Sequence, residues 1–307
     1  MRNSISLTTL AILSIGCAAK TADVETPAPE AAPEEAAPAE APAPASSYYA
    51  AADIPWKSNP EAPDGPQMAV LSGNPQEGAF TFMMKFPAGY VAPLHSHTHD
   101  FAGAVISGTF RHGRSAEDLE EMAAGSALNQ PGNEAHYSDC SADADCVLVG
   151  HMSGPLDTKP VETPVEGDMS MVITAADSAD FQPINPERPD GPKMFVIGGD
   201  QTAGAFQALV KLPAGSASPN HSHTHSYSAA QLAGSTTHGD SDVTGVGSAW
   251  TNIGGQAHVT GCAEGEQDCI FFASMEGAFD MKPVEAPAEE AAAPAEEAAA
   301  PAEDAAE

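Results

Sequence analysis

Two stretches of this chain could do chemistry. LHSHTHDFAG, from Leu94 to Gly103, sets histidines at 95, 97 and 99, and NHSHTHSYSA, from Asn220 to Ala229, repeats them at 221, 223 and 225. Residues two apart on a strand share a face, so His95 and His97 can aim their imidazoles at one point. A third histidine from another strand would complete a facial set, and His136 in the first half and His258 in the second stand ready for it. Nitrogen donors at about 2.0–2.1 Å suit Zn, Fe, Ni, Cu or Mn. A solvated histidine cluster would bind metal only adventitiously. It would not require His136 and His258 to recur downstream of each comb, as they do. Ten of the eleven histidines pair across the halves (95/221, 97/223, 99/225, 112/238, 136/258), and only His151 has no counterpart.

The elements that must position these side chains are themselves duplicated. PEAPDGPQM at Pro60 matches PERPDGPKM at Pro186, and KFPAGYVAPLHSHTH matches KLPAGSASPNHSHTH. GSALNQPGNEAHYSDC matches GSAWTNIGGQAHVTGC, and DTKPVE at Asp157 matches DMKPVE at Asp280. The repeat predicts two domains, 47–168 and 169–284, each long enough for a small core. Short apolar runs such as AFTFMMKF, AGAVISGTF and DCVLVGHM, separated by Gly, Pro, Asn and Asp, predict antiparallel strands of a sandwich or barrel. One segment, SAEDLEEMAAG near Ser115–Gly125, is expected to be helical. The class expected is all-β.

Flanking segments are of another kind. Residues 18–46 and 285–307 are dominated by Ala, Pro and Glu, cannot bury enough apolar surface to offset ordering entropy, and are expected to be disordered. With 11 Lys+Arg against 43 Asp+Glu the formal charge is −32, which excludes nucleic acid as a partner, since such binding relies on cationic side chains. Residues 1–17 carry one Arg, a short apolar run and Gly16-Cys17, an export signal too short to span a membrane. SIGC resembles a lipoprotein cleavage box, although Ser14 stands where Leu is usual. That resemblance implies lipidation at Cys17 and a periplasmic or outer-membrane anchor, with plain secretion as the alternative. Four cysteines then remain, and an even count in an exported chain suggests disulfides. Of three connectivities, the short-range one, Cys140–Cys146 with Cys262–Cys269, is preferred.

Gly89 followed after five residues by His95-Ser96-His97, then Gly108, resembles the first cupin motif. Gly125, Pro131 and His136 resemble the second. Gly215, His221, His223, Gly234, Gly247 and His258 repeat the pattern. The chain is similar to bicupins of unknown function related to the zinc-binding cupin half of ChrR-like anti-sigma factors. The resemblance implies two tandem jelly-roll barrels, each holding a metal within its mouth. His95, His97 and His136 would be ligands in one, His221, His223 and His258 in the other. The glutamate that cupins place four residues after the second histidine is here Phe101 or Tyr227, which leaves a neutral three-histidine cap. Such a cap favours an anionic substrate that chelates the metal.

His99 and His225 are expected at the rim, as proton carriers or alternatively as fourth ligands, and with Tyr227 they are the catalytic candidates. His112 and His238 are expected to pack against or hydrogen-bond a ligand histidine. Arg111 is a candidate carboxylate clamp, and Trp250 in place of Leu128 makes the second pocket more aromatic. The expected activity is that of a metal-dependent (Zn, Fe or Mn), dioxygenase-like enzyme on a small oxygen-rich or anionic molecule. The alternative is a non-catalytic metal- or ligand-binding module. Expected partners are the small-molecule ligand and, through the lipid, a membrane, with a homodimer possible. Because histidine ligands must be neutral, metal affinity is expected to fall below about pH 6.5.

Overall fold

The computed structural model describes residues 45–163, 170–239, 241–265 and 267–285. The export signal, Cys17, nearly all of the first Ala/Pro/Glu arm and all but the first residue of the second lie outside them. The described residues form an all-β molecule whose single helical element is one 3-10 turn, Ala51–Asp53. Among them no helix is long and apolar enough to cross a membrane.

Each half folds as two facing antiparallel layers. In the first, a seven-stranded sheet runs in spatial order Val172–Thr174, Ala127–Gln130, Phe101–Ser107, Cys146–Met152, Phe80–Phe86, Ala62–Gly73, Lys57–Asn59. Opposite lies a five-stranded sheet of Lys159–Pro160, Val91–Ser96, His136–Cys140, Phe110–Gly113 and Leu119–Met122. The second half repeats the large sheet as Ser47–Tyr49, Ala249–Asn252, Tyr227–Ala233, Cys269–Met275, Phe206–Leu212, Lys193–Gly199, Gln182–Pro183. Its smaller layer divides into Ser241–Thr244, Thr236–His238 and Thr260–Cys262, and a separate pair, His221–Ser222 with Lys282–Pro283.

The edge strands are exchanged between the halves. Ser47–Tyr49, which opens the first repeat, pairs antiparallel with Ala249–Asn252 of the second barrel. Val172–Thr174, which opens the second, pairs with Ala127–Gln130 of the first.

The mixed apolar runs now have a reason. Alternate residues of each large sheet face the barrel interior, and the others face the partner barrel. Along Phe101–Ser107, Val105 joins the first barrel's core, while Ala102, Ala104 and Ile106 join a cluster that also takes Leu209, Ala230 and Phe272 from the second. A sheet buried on both faces loses the apolar/polar alternation of a half-solvated one.

The segment expected to be helical is instead a strand. Residues 115–118 turn, with the Asp118 amide donating to the Ser115 carbonyl at 3.2 Å, and Leu119–Met122 pairs with Phe110–Gly113. Its apolar content is one buried anchor, Met122, rather than a stripe, and Glu120 and Glu121 stay exposed. Both disulfides close the short-range pairs, Cys140–Cys146 and Cys262–Cys269. Loops of this size stabilise a domain by about 2–3 kcal/mol on the chain-entropy model.

The strand exchange has a direct consequence. Removal of residues 1–49 uncovers the edge of Ala249–Asn252, so amide exchange there is expected to accelerate while Ala127–Gln130 stays protected. Uniform exchange in both barrels would contradict the exchanged pairing.

Candidate metal centres

The three histidines of each set converge by strand pairing. His95 and His136 are direct cross-strand partners. In the second half His221 and His258 face each other in an isolated bridge, exchanging amide-to-carbonyl bonds of 3.0 and 2.8 Å. His97 and His223 follow one turn of backbone later. Their carbonyls accept the amides of Asn133 (2.6 Å) and Gly255 (2.7 Å), two residues in the left-handed region at φ 65° and 83°. Asn tolerates that conformation almost as Gly does, so the Asn133/Gly255 difference leaves the loop unchanged. In both halves the ligand nitrogens lie within 4.8 Å of one another. Ring-centroid separations are 4.3, 5.0 and 5.3 Å for the first triad and 4.3, 4.9 and 5.2 Å for the second.

The donor set fits a divalent ion, since each Nδ1 is occupied from behind and each Nε2 is left for the centre. His95 Nδ1 lies 2.7 Å from the Pro93 carbonyl and His221 Nδ1 2.8 Å from that of Pro219. His136 and His258 Nδ1 face the carbonyls of Glu134 (3.0 Å) and Gln256 (3.2 Å). His97 and His223 Nδ1 donate to the carbonyls of Asp157 and Asp280. A carbonyl can only accept, so Nδ1 of His95, His97, His221 and His223 keeps the proton and Nε2 presents its lone pair to the centre, while His136 and His258 Nδ1 also meet the side-chain amides of Gln130 and Asn252.

Asp157 and Asp280 do more than supply carbonyls. The Asp157 carboxylate accepts the Thr98 amide at 2.8 Å and the Thr98 hydroxyl, with Lys159 Nζ 3.4 Å away. Asp280, Thr224 and Lys282 repeat this, with an amide bond of 2.8 Å and Nζ at 3.3 Å. The threonine bonds hold both carboxyl pKa values down to about 2. Lys159–Pro160 also pairs with His95-Ser96, and Lys282–Pro283 with His221-Ser222. The D-x-K-P segments thus clamp the combs, a role that residue type alone did not indicate.

Burial sets the protonation. Desolvation lowers the His95 and His223 pKa values, and takes His136 to about 2 and His258 to about 4. His112 and His238 are lowered to about 4 and about 3, and the unpaired His151, whose Nδ1 lies 3.1 Å from the Thr81 hydroxyl, to about 4. His136 and His258 therefore stay neutral well below the pH 6.5 expected from free histidine.

Each triad opens into a small apolar cavity. The first, about 120 Å³, is walled by Phe82, Met84, Phe101, Leu128, Leu148 and Met152. The second, about 80 Å³, is walled by Met194, Phe206, Tyr227, Phe271, Met275 and Phe279. Neither lining contains a carboxylate, a lysine or an arginine.

Other sequence candidates fall elsewhere. His99 and His225 join neither triad and line neither cavity. Their rings lie against Gly154 and Gly277, where a Cβ would come within 2.4 and 2.3 Å. Arg111 is not brought to the site, because it faces away from the cavity-lining His112 and its guanidinium grips Asp139 with bonds of 2.6 and 2.8 Å. His112 and His238 do back a ligand ring, each 4.8 Å from it between centroids. The Gln130 amide spans His112 Nε2 and His136 Nδ1. In the second half the Tyr227 hydroxyl stands 3.3 Å from His258 Nε2 and 3.5 Å from His238 Nε2. Burial, only partly offset by Trp250 and Thr260, pushes the Tyr227 phenol pKa upward, so it is a neutral donor.

Residues 45–156 match the family model of the ChrR cupin-like domain, and residues 172–306 match a domain of unknown function, DUF4437. No curated protein matches the chain by sequence. Among solved structures, a candidate dioxygenase from Nostoc punctiforme is similar in fold, with 13% identity and a TM-score of 0.60 over 75% of this chain and 82% of that one. A variant of the oxalate decarboxylase from Bacillus subtilis aligns at 14% identity and TM-score 0.50, covering 76% and 77%. The enzyme of the same name from Lactobacillus farciminis, as a formate complex, aligns at 12% and 0.50, covering 76% and 86%. At such identities the likeness is one of fold.

Two outcomes follow from the geometry. Asp157→Ala releases the clamp behind His97, so metal affinity at the first centre is expected to fall about 10–100-fold while the second is untouched. Competition titration with a chromophoric chelator reads both sites. Equal loss at both would contradict a local clamp. Separately, the metal-free protein is expected to lose stability as pH falls from about 6.5 toward 4. There the unfolded chain protonates histidines that the folded chain holds neutral, at up to ~1.4 kcal/mol per pH unit for each. Denaturant midpoints at pH 7 and pH 5 measure this, and a flat profile would refute it.

Proposed function

This chain belongs to the cupin superfamily as a tandem of two cupin domains, and on that premise we propose that it is an exported, metal-dependent, dioxygenase-like enzyme acting on a small, oxygen-rich, anionic molecule. The observation that carries the reading is the pairing of a neutral three-histidine cap with a cavity that has no charged side chain. A divalent ion held by three imidazoles keeps its full positive charge, and in apolar surroundings that charge attracts an anion far more strongly than in water. The bound ion would supply Lewis acidity, or in the case of iron an electron source for O2.

The chain's own residues do the rest. The apolar walls exclude water and limit the ligand to a few non-hydrogen atoms. The backbone carbonyls behind the six rings keep the donor nitrogens aimed. His112 with Gln130, and His238 with Asn252, hold the third ligand ring of each set from behind. The two disulfides belong to an oxidising compartment, which supports export, and Cys17 is proposed as the lipid anchor to a periplasmic or outer membrane. Zinc, iron and manganese all remain compatible with three imidazoles. The absence of a carboxylate from either lining favours a second reading, a non-catalytic module that binds metal or a small ligand, since no carboxylate stands beside the cavity as general acid or base.

Elemental analysis of the purified protein is expected to give two metal equivalents, falling to one in His97→Ala and to one in His223→Ala. No bound metal, with melting unchanged by Zn, Fe or Mn, would end the metal reading. Oxygen consumption by the iron form is then followed with small carboxylic acids and β-diketones. Uptake with one of them supports the enzyme, and silence from a fully iron-loaded protein favours the binding module.

A further inference from the structure

The two triads share one geometry, but the side chain beside each has taken a different path. Phe101 and Tyr227 open equivalent strands, Phe101–Ser107 and Tyr227–Ala233. The Phe101 ring lies in a slot over two glycines paired across neighbouring strands. A Cβ added at Gly150 would come within 2.2 Å of that ring, and one added at Gly103 within 2.6 Å. The equivalent cross-strand pair in the second barrel is Ala229 and Ala273, both buried. Their methyl groups fill the slot, so the Tyr227 ring is directed to the centre instead, 5.5 Å from the His223 ring.

There its hydroxyl is buried beside the Thr260 and Trp250 side chains, and its ring partners are distant. It has His258 Nε2 at 3.3 Å and His238 Nε2 at 3.5 Å, against roughly 2.5–3.0 Å for a good hydroxyl bond. The His258 lone pair is the one a metal takes. Once it is taken, His238 Nε2, at the limit of hydrogen bonding, is the remaining ring acceptor for the phenolic proton. A buried hydroxyl short of an acceptor is costly, and an oxygen of a bound ligand would relieve it.

We propose that Tyr227 makes the second centre selective for a small oxyanion, by donating its phenolic hydrogen bond to an oxygen of a ligand in the second cavity, where the equivalent Phe101 of the first barrel has no hydroxyl to offer. This deepens the reading of the triads as metal sites and rests on it. It predicts that one chain carries two centres of unequal ligand preference: small carboxylates at the second, and ligands content with apolar walls at the first.

Cobalt(II)-loaded protein provides the test, with acetate as the probe. His223→Ala leaves only the first centre and His97→Ala only the second, each verified by one equivalent of cobalt. Visible absorption follows acetate binding. The second centre is expected to bind acetate about tenfold more tightly, or 1.4 kcal/mol, and adding Tyr227→Phe to the His97→Ala protein is expected to abolish the advantage. The double variant Ala229→Gly with Ala273→Gly keeps the phenol but reopens the slot, and is expected to weaken acetate binding as well. Equal affinities in cobalt-loaded proteins, or an unchanged affinity in Tyr227→Phe, would overturn the assignment of Tyr227 alone. Failure of either single-centre protein to take up cobalt would overturn the metal reading and this inference together.

Discussion

Six imidazoles held inside apolar barrels, each with its Nδ1 against a main-chain carbonyl, are the constraint around which the molecule is arranged. A buried imidazolium is penalised by desolvation, and a buried imidazole with the wrong tautomer points a proton at the metal. Burial opposes the first, and a main-chain carbonyl opposite each Nδ1 counters the second. Much of the local structure exists to place those carbonyls. Pro93 and Pro219 precede the first histidine of each comb, and Asp157 and Asp280 arrive from segments some sixty residues on. The threonine clamp fixes the arriving segment, so a pair of half-buried carboxylates governs the orientation of buried rings.

Between the barrels, a second constraint operates. The large sheets are covered on one face by their own cavity and on the other by the partner barrel, so neither sheet has a solvated side through which to relax. Exchange of the opening strands strengthens this, since each barrel completes its sheet with backbone from the other repeat. A side-chain bond also crosses the seam, from the Ser228 hydroxyl to Ser72 at 2.8 Å. Packed and exchanged edges leave little freedom for one barrel to move independently of the other, and the two centres are held in one rigid core.

The parts of this arrangement that were legible in the sequence are those written in residue type and repeated twice. The combs, His136 and His258, the cysteine pairs and the short strands all belong to that group. The carbonyls that orient the rings were not legible, because every residue carries one and only the fold selects which are used. Asp157 and Asp280 stood out as repeated residues, yet their clamp depends on a loop meeting Thr98 and Thr224 from far along the chain. Strand exchange was hidden for a related reason: a repeat boundary in sequence marks duplication, whereas strand partners are chosen by the edges left open. The segment at Ser115–Gly125 misled because its acidic helix formers match a helix composition, while the single buried anchor Met122 satisfies a strand. Arg111 pointed to a clamp by type alone, and alternation along its strand turned it to the opposite face from His112.

Duplication permits a comparison within one chain, and what has stayed fixed differs from what has changed. The triad separations agree to about the precision with which they can be stated. The surroundings have changed together: Phe101, Gly103 and Gly150 on one side stand against Tyr227, Ala229 and Ala273 on the other, with Gln130 against Asn252 and Leu128 against Trp250. These are coupled by contact. The alanines displace the aromatic ring toward the metal site. The displaced ring brings a hydroxyl between Nε2 of His258 and Nε2 of His238, whereas in the first barrel the Gln130 amide joins His112 Nε2 to His136 Nδ1. Trp250 then stacks on His238 at 5.2 Å between ring centroids, and the cavity narrows from about 120 to about 80 Å³. Random drift in an idle copy would erode the ligand histidines as readily as their neighbours. A preserved triad inside a concertedly rebuilt wall is instead what a second centre with its own ligand requires.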